Sequence, residues 1–164
     1  MVQPAFTDPQ PLRNHARGTY NPQTQVCAGC GVRQFALFGA LDEAALAQIH
    51  YRIADITLEP GQTLYAAQDS GNAVFTVRSG VLRLERSSEA GERRILRLAG
   101  RTDLLGLEAI LHQTYAADAV ACTEVHVCRI PRALIDELSA EHVEITRDLM
   151  KRWQRALDDA DERL

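Results

Sequence analysis

The sequence has no apolar run that approaches the ~20 residues needed to cross a bilayer. Its N-terminal end also lacks the basic start and the apolar core of a secretion signal. The formal net charge is −4, so the chain has no excess of positive charge with which to bind nucleic acid. We therefore expect a cytoplasmic protein that has no membrane segment and presents no DNA-binding surface of its own.

Histidine and cysteine, two of the metal-ligating residue types, are few, with five histidines and four cysteines. Metal oxygenases built on β-rolls need several His and Glu ligands on neighbouring strands. Only His112 and His126 fall in the predicted strand region, and no His-x-His motif occurs, so we expect that the protein is not an enzyme. Cysteines in a reducing compartment are more often free, metal-bound or redox-active than joined in structural disulfides.

Short alternating runs dominate the stretch between Gly61 and Gly106. Leucines flank arginine in Leu82–Leu84 and again in Leu96–Leu98, and this period of two is typical of strands with one buried and one solvated face. Glycines at the joins suit tight turns, and a polar hairpin turn is predicted over 87–92. The pattern predicts a mainly β fold with flanking helices, namely a double-stranded antiparallel β-roll (jelly roll). The leucines should face the core, and the arginines should form a solvated basic set, which comprises Arg83, Arg86, Arg93, Arg94 and Arg97.

The two ends of the chain have different characters. Residues 1–26 are rich in Pro, Gln, Asn and Thr, show no periodicity and are predicted to form a mobile arm. After a short helix at 132–138, a long helix is predicted over 139–164, with Ser139 or Glu141 as its cap. One stripe of this helix recurs every three or four residues, and Met150 and Leu157 widen it; the stripe consists of Ile145, Leu149, Trp153, Ala156, Ala160 and Leu164. Such a wide stripe predicts a helix that packs on its own domain and also on a second copy, whereas the alternative is packing on its own roll alone.

Two cysteines, Cys27 and Cys30, form a Cys-x-x-Cys motif flanked by glycines. This spacing presents both sulfurs to one metal centre, although half a zinc site, a redox dithiol and chance remain open on this motif alone. Cys122 and Cys128 fall in a predicted hairpin over 117–130. An extended chain at ~3.3 Å per residue separates them by about 20 Å, so at most one of them can join the same centre.

Several segments resemble the sensor domain of the Crp/Fnr transcription regulators. They are Gly61–Tyr65, the Arg78-Ser79-Gly80 turn and Leu98–Gly106, and the resemblance runs from about Cys27 to the C-terminus. It implies a cyclic-nucleotide-binding-type sensor domain over 27–138, a dimerisation helix over 139–164, and a homodimer. The family's helix-turn-helix would follow, so we expect DNA contact only through a domain that is absent from this chain.

The resemblance also implies a cofactor. In the Fnr branch an N-terminal cysteine cluster binds an iron–sulfur cluster of the 4Fe-4S type, and Cys27 and Cys30 stand in that place. Cys128 stands where this branch has its distant ligand, which leaves Cys122 as a small buried apolar residue. A further family cysteine is replaced here by Ala36. The fourth ligand is therefore open, with three candidates: Asp42, His50 and His112.

The family's effector pocket departs from the cyclic-AMP-binding pattern. Members that bind cyclic AMP have a Glu directly after the pocket glycine and an Arg-Ser pair further on, where this chain has Leu107 and Ala117–Asp118. An aspartate repels a cyclic phosphate, so we expect no cyclic AMP binding. The expected function is sensing of oxygen, redox state or nitric oxide through the cluster, which controls dimerisation and hence DNA binding. The alternative is a cluster-free dimeric module of the same fold that binds a small molecule or haem.

Overall fold

Two antiparallel sheets make up most of the fold. The computed structural model describes residues 17–19, 49 and 52–161, with the backbone alone for 17–19, 156–157 and 159–161. Its strands are β1 (Arg17–Thr19), β2 (Ala54–Leu58), β3 (Thr63–Tyr65), β4 (Ala73–Ser79), β5 (Leu82–Ser87), β6 (Arg93–Ala99), β7 (Leu104–Leu105), β8 (Asp118–Ala121) and β9 (Val125–Pro131). Its helices are a 3-10 helix (Leu107–Leu111), α1 (Arg132–Glu141) and α2 (Val143–Asp161).

The strand order confirms the predicted antiparallel β-roll. The first sheet has the order β1-β2-β9-β4-β7 and the second has the order β3-β8-β5-β6. The predicted hairpin turn also occurs, because β5 ends at Ser87 and β6 begins at Arg93. Within the segment predicted as an arm, β1 pairs with β2.

One core lies between the sheets. Leu58, Phe75 and Val127 of the first sheet and Leu82 of the second are all completely buried there. Tyr65 stacks on Phe75 at a centroid distance of 5.7 Å and on Tyr115 at 4.1 Å. These contacts hold the two sheets together as one roll.

A second core lies on the outer face of the first sheet. Val74 and Ile130 point away from the roll interior because they alternate with Phe75 and Val127, and they pack against the two helices. The helix residues in this core are Leu134, Ile135, Leu138, Ile145 and Leu149. The helices thus cover the first sheet with the apolar sides that their periodicity predicts.

The break between the helices falls later than the sequence indicates. Ser139 and Glu141 lie inside α1, and His142 is extended at φ −127° and ψ 104°. The backbone N–H of Ile145 donates to the His142 carbonyl at 3.2 Å, which starts α2. The predicted caps are therefore wrong, because α1 continues through them until its last turn closes on His142.

Strand β6 faces the opposite way from the prediction. Leu96 is 43 % exposed and Leu98 is 56 % exposed, whereas Arg97 is half-buried. Arg97 pairs with the buried Leu84, and a register shift in the pairing with β5 directly follows this pair. Strand β6 is the edge strand of its sheet and pairs with β5 on one side only. No described strand on its other side therefore helps to fix which of its two faces is buried.

Candidate functional site

Cys128 lies on β9, on the face of the first sheet that carries the second core. Its cross-strand neighbours are Asp55 on β2 and Thr76 on β4. Directly opposed residues in antiparallel strands have Cβ atoms about 4.5–5.5 Å apart. The half-buried thiol also packs against the second core. The strand pairing therefore puts one thiol between two polar side chains, beside the apolar second core.

These polar neighbours are themselves buried. Asp55 forms an ion pair with Arg78, which follows Thr76 by two residues on the same face of β4. Thr76 is 1 % exposed, and its Oγ1 has no hydrogen-bond partner among the residues that the structure describes. A buried polar group without a partner costs ~1–3 kcal/mol. A hydroxyl in this position suits a sulfur acceptor bound beside Cys128, so the described residues fit one corner of an iron–sulfur site.

Of the other predicted ligands, the structure describes His112 alone. Cys27, Cys30, Asp42 and His50 lie outside the described residues. His112 caps the 3-10 helix with an exposed ring whose Nε2 lies 3.8 Å from Asp136 of α1. Among residues 49 and 52–161, no three His, Cys, Asp or Glu side chains lie close enough to hold a metal ion.

Cys122 differs from the prediction. It is exposed rather than buried, and it lies directly after β8. The strands flanking it occur as predicted but do not form a hairpin, because β8 pairs with β3 and β5 whereas β9 pairs with β2 and β4. The chain crosses from one sheet to the other at Cys122. Arg83 neighbours Cys122. The pKa of Arg83 is raised chiefly by its side-chain hydrogen bond to Glu85 and to a smaller extent by one to Cys122.

At Ala117–Asp118, where the cyclic-AMP-binding pattern has its Arg-Ser pair, the Asp118 carboxylate has a structural role. Asp118 Oδ1 accepts the backbone N–H of Ala67 at 2.6 Å. Asp118 also lines an open cavity of about 860 Å³ together with Arg86, whose Nε donates to the Ala116 carbonyl at 2.7 Å. That the protein does not bind cyclic AMP stays a prediction.

The predicted dimer stripe on α2 divides into a buried part and an exposed part. Ile145 and Leu149 are buried in the second core of their own chain, whereas Trp153 is 36 % exposed. The side chains of Ala156 and Ala160 and the whole of Leu164 lie outside the described residues. The dimer interface stays a prediction.

One family model accounts for the roll and the first helix. The cyclic nucleotide-binding domain model matches residues 55–142, which extend from β2 to the end of α1. The chain belongs to the cyclic nucleotide-binding domain family. Helices of the described residues include none that is long and apolar enough to span a membrane.

The relatives of this cyclic nucleotide-binding-type domain are regulators. It is 29 % identical over 126 residues to the anaerobic regulatory protein of Pasteurella multocida, a match that covers 76 % of this chain and 46 % of the relative. It is 34 % identical over 102 residues to the transcriptional activator protein anr of Pseudomonas aeruginosa, which covers 62 % and 42 %. The chain therefore spans about half the length of the curated relatives that it matches. These names confirm the resemblance to Crp/Fnr regulators, and they are names of regulators rather than of enzymes.

Solved structures support the same fold. The sensor domain of the transcriptional regulator DNR from Pseudomonas aeruginosa superposes with a TM-score of 0.71 at 14 % identity and covers 88 % of this chain and 97 % of that one. At this identity the likeness speaks for the fold alone. It confirms the architecture of a β-roll followed by helices.

Proposed function

We propose that this Crp/Fnr-type domain is the sensory and dimerisation module of a cytoplasmic transcription regulator. It senses oxygen, redox state or nitric oxide through an iron–sulfur cluster of the 4Fe-4S type, held by Cys27, Cys30 and Cys128 with a fourth ligand still open. When bound, the cluster supplies a centre that oxygen and nitric oxide attack. The observation that carries the proposal is the half-buried Cys128 thiol beside the unpartnered Thr76 hydroxyl. Relatives named as anaerobic regulatory proteins support it.

Cys128 is connected to the long helix α2 through the second core, against which both pack. Strand β9 ends at Pro131, and α1 begins at the next residue. Ile130 of β9 packs in one cluster with Ile135 of α1 and with Leu149 of α2. A change in the packing of Cys128 therefore alters the same core against which α2 packs. We infer that this core transmits the signal to a homodimer, whose DNA contact is made by a helix-turn-helix outside this chain.

Two serine variants test the cluster under strict anaerobiosis. We expect the unaltered protein to be brown, to contain iron and acid-labile sulfide, and to bleach in air. Cys128→Ser should lose at least half of the bound iron, since it removes a ligand. Cys122→Ser is the matched control, because its exposed thiol lies where the chain crosses between the sheets and outside the Asp55–Cys128–Thr76 row, and it should retain iron and colour. Colourless, iron-free unaltered protein after anaerobic reconstitution would end the proposal, as would equal iron in both variants.

A second candidate function is a dimeric module that binds a small molecule or haem and carries no cluster. The observation that favours it is a cavity of about 270 Å³ between the roll and α2, lined by Tyr65 and Trp153. We expect a ligand for this cavity to raise the melting temperature of a Cys27→Ser, Cys30→Ser double variant. A melting temperature that no small molecule or haem shifts would count against this candidate.

A further inference from the structure

Strand β6 forms one edge of the second sheet. The order β3-β8-β5-β6 places β5 on one side of it, and no strand among the described residues pairs with its other side. The strand is 7 residues long, and all of its residues except Arg97 and Ala99 are exposed. Because the backbone groups of a strand point to its two sides in turn, about half of the N–H and C=O groups of β6 point outwards. An open edge of this length is a template for one more strand.

Two large apolar side chains stand on the outer face of this edge. Ile95 and Leu98 are each 56 % exposed, and their cross-strand neighbours on β5 are Glu85 and Arg83. These neighbours lie on one face of the sheet, since Arg83 Nε donates to Glu85 at 2.7 Å. Both alternate with Leu84, which belongs to the core inside the roll, so this face points away from the roll interior. The edge therefore offers an apolar strip that another chain can cover.

The charge of the same edge is entirely positive. Residues 93–101 include four arginines and no Asp or Glu. Arg94 stands directly opposite Arg86 of β5, and it forms no hydrogen bond or ion pair with any residue in the described part of the chain. Like charges in directly opposed positions destabilise a strand pair. A carboxylate placed beside Arg94 offsets this repulsion.

This charge disfavours a second copy of β6 as the added strand. In an antiparallel self-pair the arginines of both copies would lie along one narrow ribbon with no acid between them, and sheets use such edge charges to prevent self-association. An acidic strand is attracted by the same charges. The turn before β6 limits where that strand can lie, because Glu89 and Glu92 repel it. The surface that favours an acidic strand therefore runs from Arg93 towards Gly100.

We propose that the β6 edge binds an extended acidic segment of a partner protein as a fifth strand of the second sheet. Pairing of its main chain with the outward N–H and C=O groups of β6 supplies affinity, and its side chains supply selectivity. Carboxylates on one face of the segment reach Arg94, and apolar side chains on its other face lie against Ile95 and Leu98. The segment therefore alternates acidic and apolar residues. Its binding requires neither the cluster nor a dimer.

A heptapeptide of alternating glutamate and valine, with a fluorescent label, is the probe. Its binding is measured by fluorescence anisotropy at physiological salt, in the full chain carrying Cys27→Ser and Cys30→Ser. The first control is the same peptide with lysine in place of glutamate, and the second is the glutamate peptide methylated at every backbone nitrogen. A single-stranded oligonucleotide is an anion without a peptide backbone. We expect saturable binding of the glutamate peptide and binding about tenfold weaker or less for each control.

Amide hydrogen exchange locates the added strand. Outward-pointing N–H groups of β6 should exchange readily in the free protein and should be protected when the glutamate peptide is bound. The internal control is β3, which forms the other edge of the same sheet and should exchange at the same rate with and without the peptide.

Substitutions on the two faces of β6 test the side-chain contacts. Arg94→Glu should weaken binding about tenfold or more, because it sets a carboxylate against the acidic strand, while its pairing with Arg86 favours the fold. Leu98→Gln should also weaken binding, since it removes an apolar contact. Arg147→Glu is the matched control, because it makes the same change at an exposed arginine of α2, and it should bind as the parent does.

Four results would overturn the proposal. The glutamate peptide does not bind at millimolar concentration; the methylated peptide or the oligonucleotide binds equally well, which would mean attraction by charge alone; β6 gains no protection; or Arg94→Glu and Leu98→Gln both bind as the parent does. Because the test protein lacks two cluster ligands, any of these results leaves the cluster proposal untouched.

Discussion

Thr76 combines three properties that a purely structural residue would not need together. It is buried, its hydroxyl has no partner among the described residues, and it lies across the strand pair from Cys128. Valine has nearly the same shape without the hydroxyl. We expect Thr76→Val to leave the free energy of unfolding of the iron-free protein unchanged or to raise it by up to ~1 kcal/mol, because a buried unpartnered group is removed. Urea unfolding checks this value.

The same substitution should act in the opposite direction on the cluster-loaded protein. There the hydroxyl is expected to donate a hydrogen bond to a sulfur acceptor, so Thr76→Val should bleach faster in air, whereas Thr76→Ser should bleach at the parent rate. A Thr76→Val protein that is less stable than the parent when iron-free would show that the hydroxyl has another partner. Equal bleaching of the valine and serine variants would separate Thr76 from the site.

At the scale of the secondary-structure elements, β6 shows how far alternation alone can be used. Leu98 is 56 % exposed, whereas Leu82, which begins the neighbouring strand, is completely buried. We expect Leu98→Gln to change the free energy of unfolding by less than ~1 kcal/mol and Leu82→Gln to lower it by ~3 kcal/mol or more. Urea unfolding of both variants checks the difference. Equal losses would mean that β6 buries the leucine face that its sequence pattern suggests.

The positions of the strands could be predicted from the sequence more reliably than which face of each strand is buried. Gly80 marks a real turn, because its φ is +87° and a Cβ there would lie 2.2 Å from the Glu124 carbonyl oxygen. A positive φ at a turn is a local requirement that a glycine in the sequence reveals. Local patterns of this kind allowed the strands, the β5–β6 turn and the helices to be predicted. The facing of β6, the crossing at Cys122 and the Asp55–Cys128–Thr76 row depend on which strands pair and in which register. The β9 pairings are long-range and the β5–β6 pairing contains a register shift, and no local sequence pattern indicates either.

At the scale of the whole molecule, α2 presents two apolar sides. Ile145 and Leu149 belong to the core of their own chain, whereas Val143 and Met150 are 62 % and 68 % exposed. Val143, Met150, Leu157 and Leu164 recur at intervals of seven, which is the spacing of a coiled-coil seam. The exposed side, with Trp153 at its edge, is therefore the better candidate for the homodimer contact than the first two residues of the predicted stripe. One helix can then serve the core and a partner at once.

A charge on the exposed side tests this assignment together with the coupling to oxygen. We expect the unaltered protein to sediment as a dimer when purified anaerobically and to shift towards monomer in air. Met150→Glu should weaken the anaerobic dimer about tenfold or more, because it buries an unpaired carboxylate at the contact. Lys151→Glu introduces the same side chain at the next exposed position, which points elsewhere around the helix, and should sediment as the parent does. Analytical ultracentrifugation of the three proteins in both atmospheres distinguishes the two claims. A dimer that Met150→Glu leaves intact contradicts the exposed-side contact, and a parent whose sedimentation is the same in both atmospheres contradicts the coupling of the Cys128 region to α2.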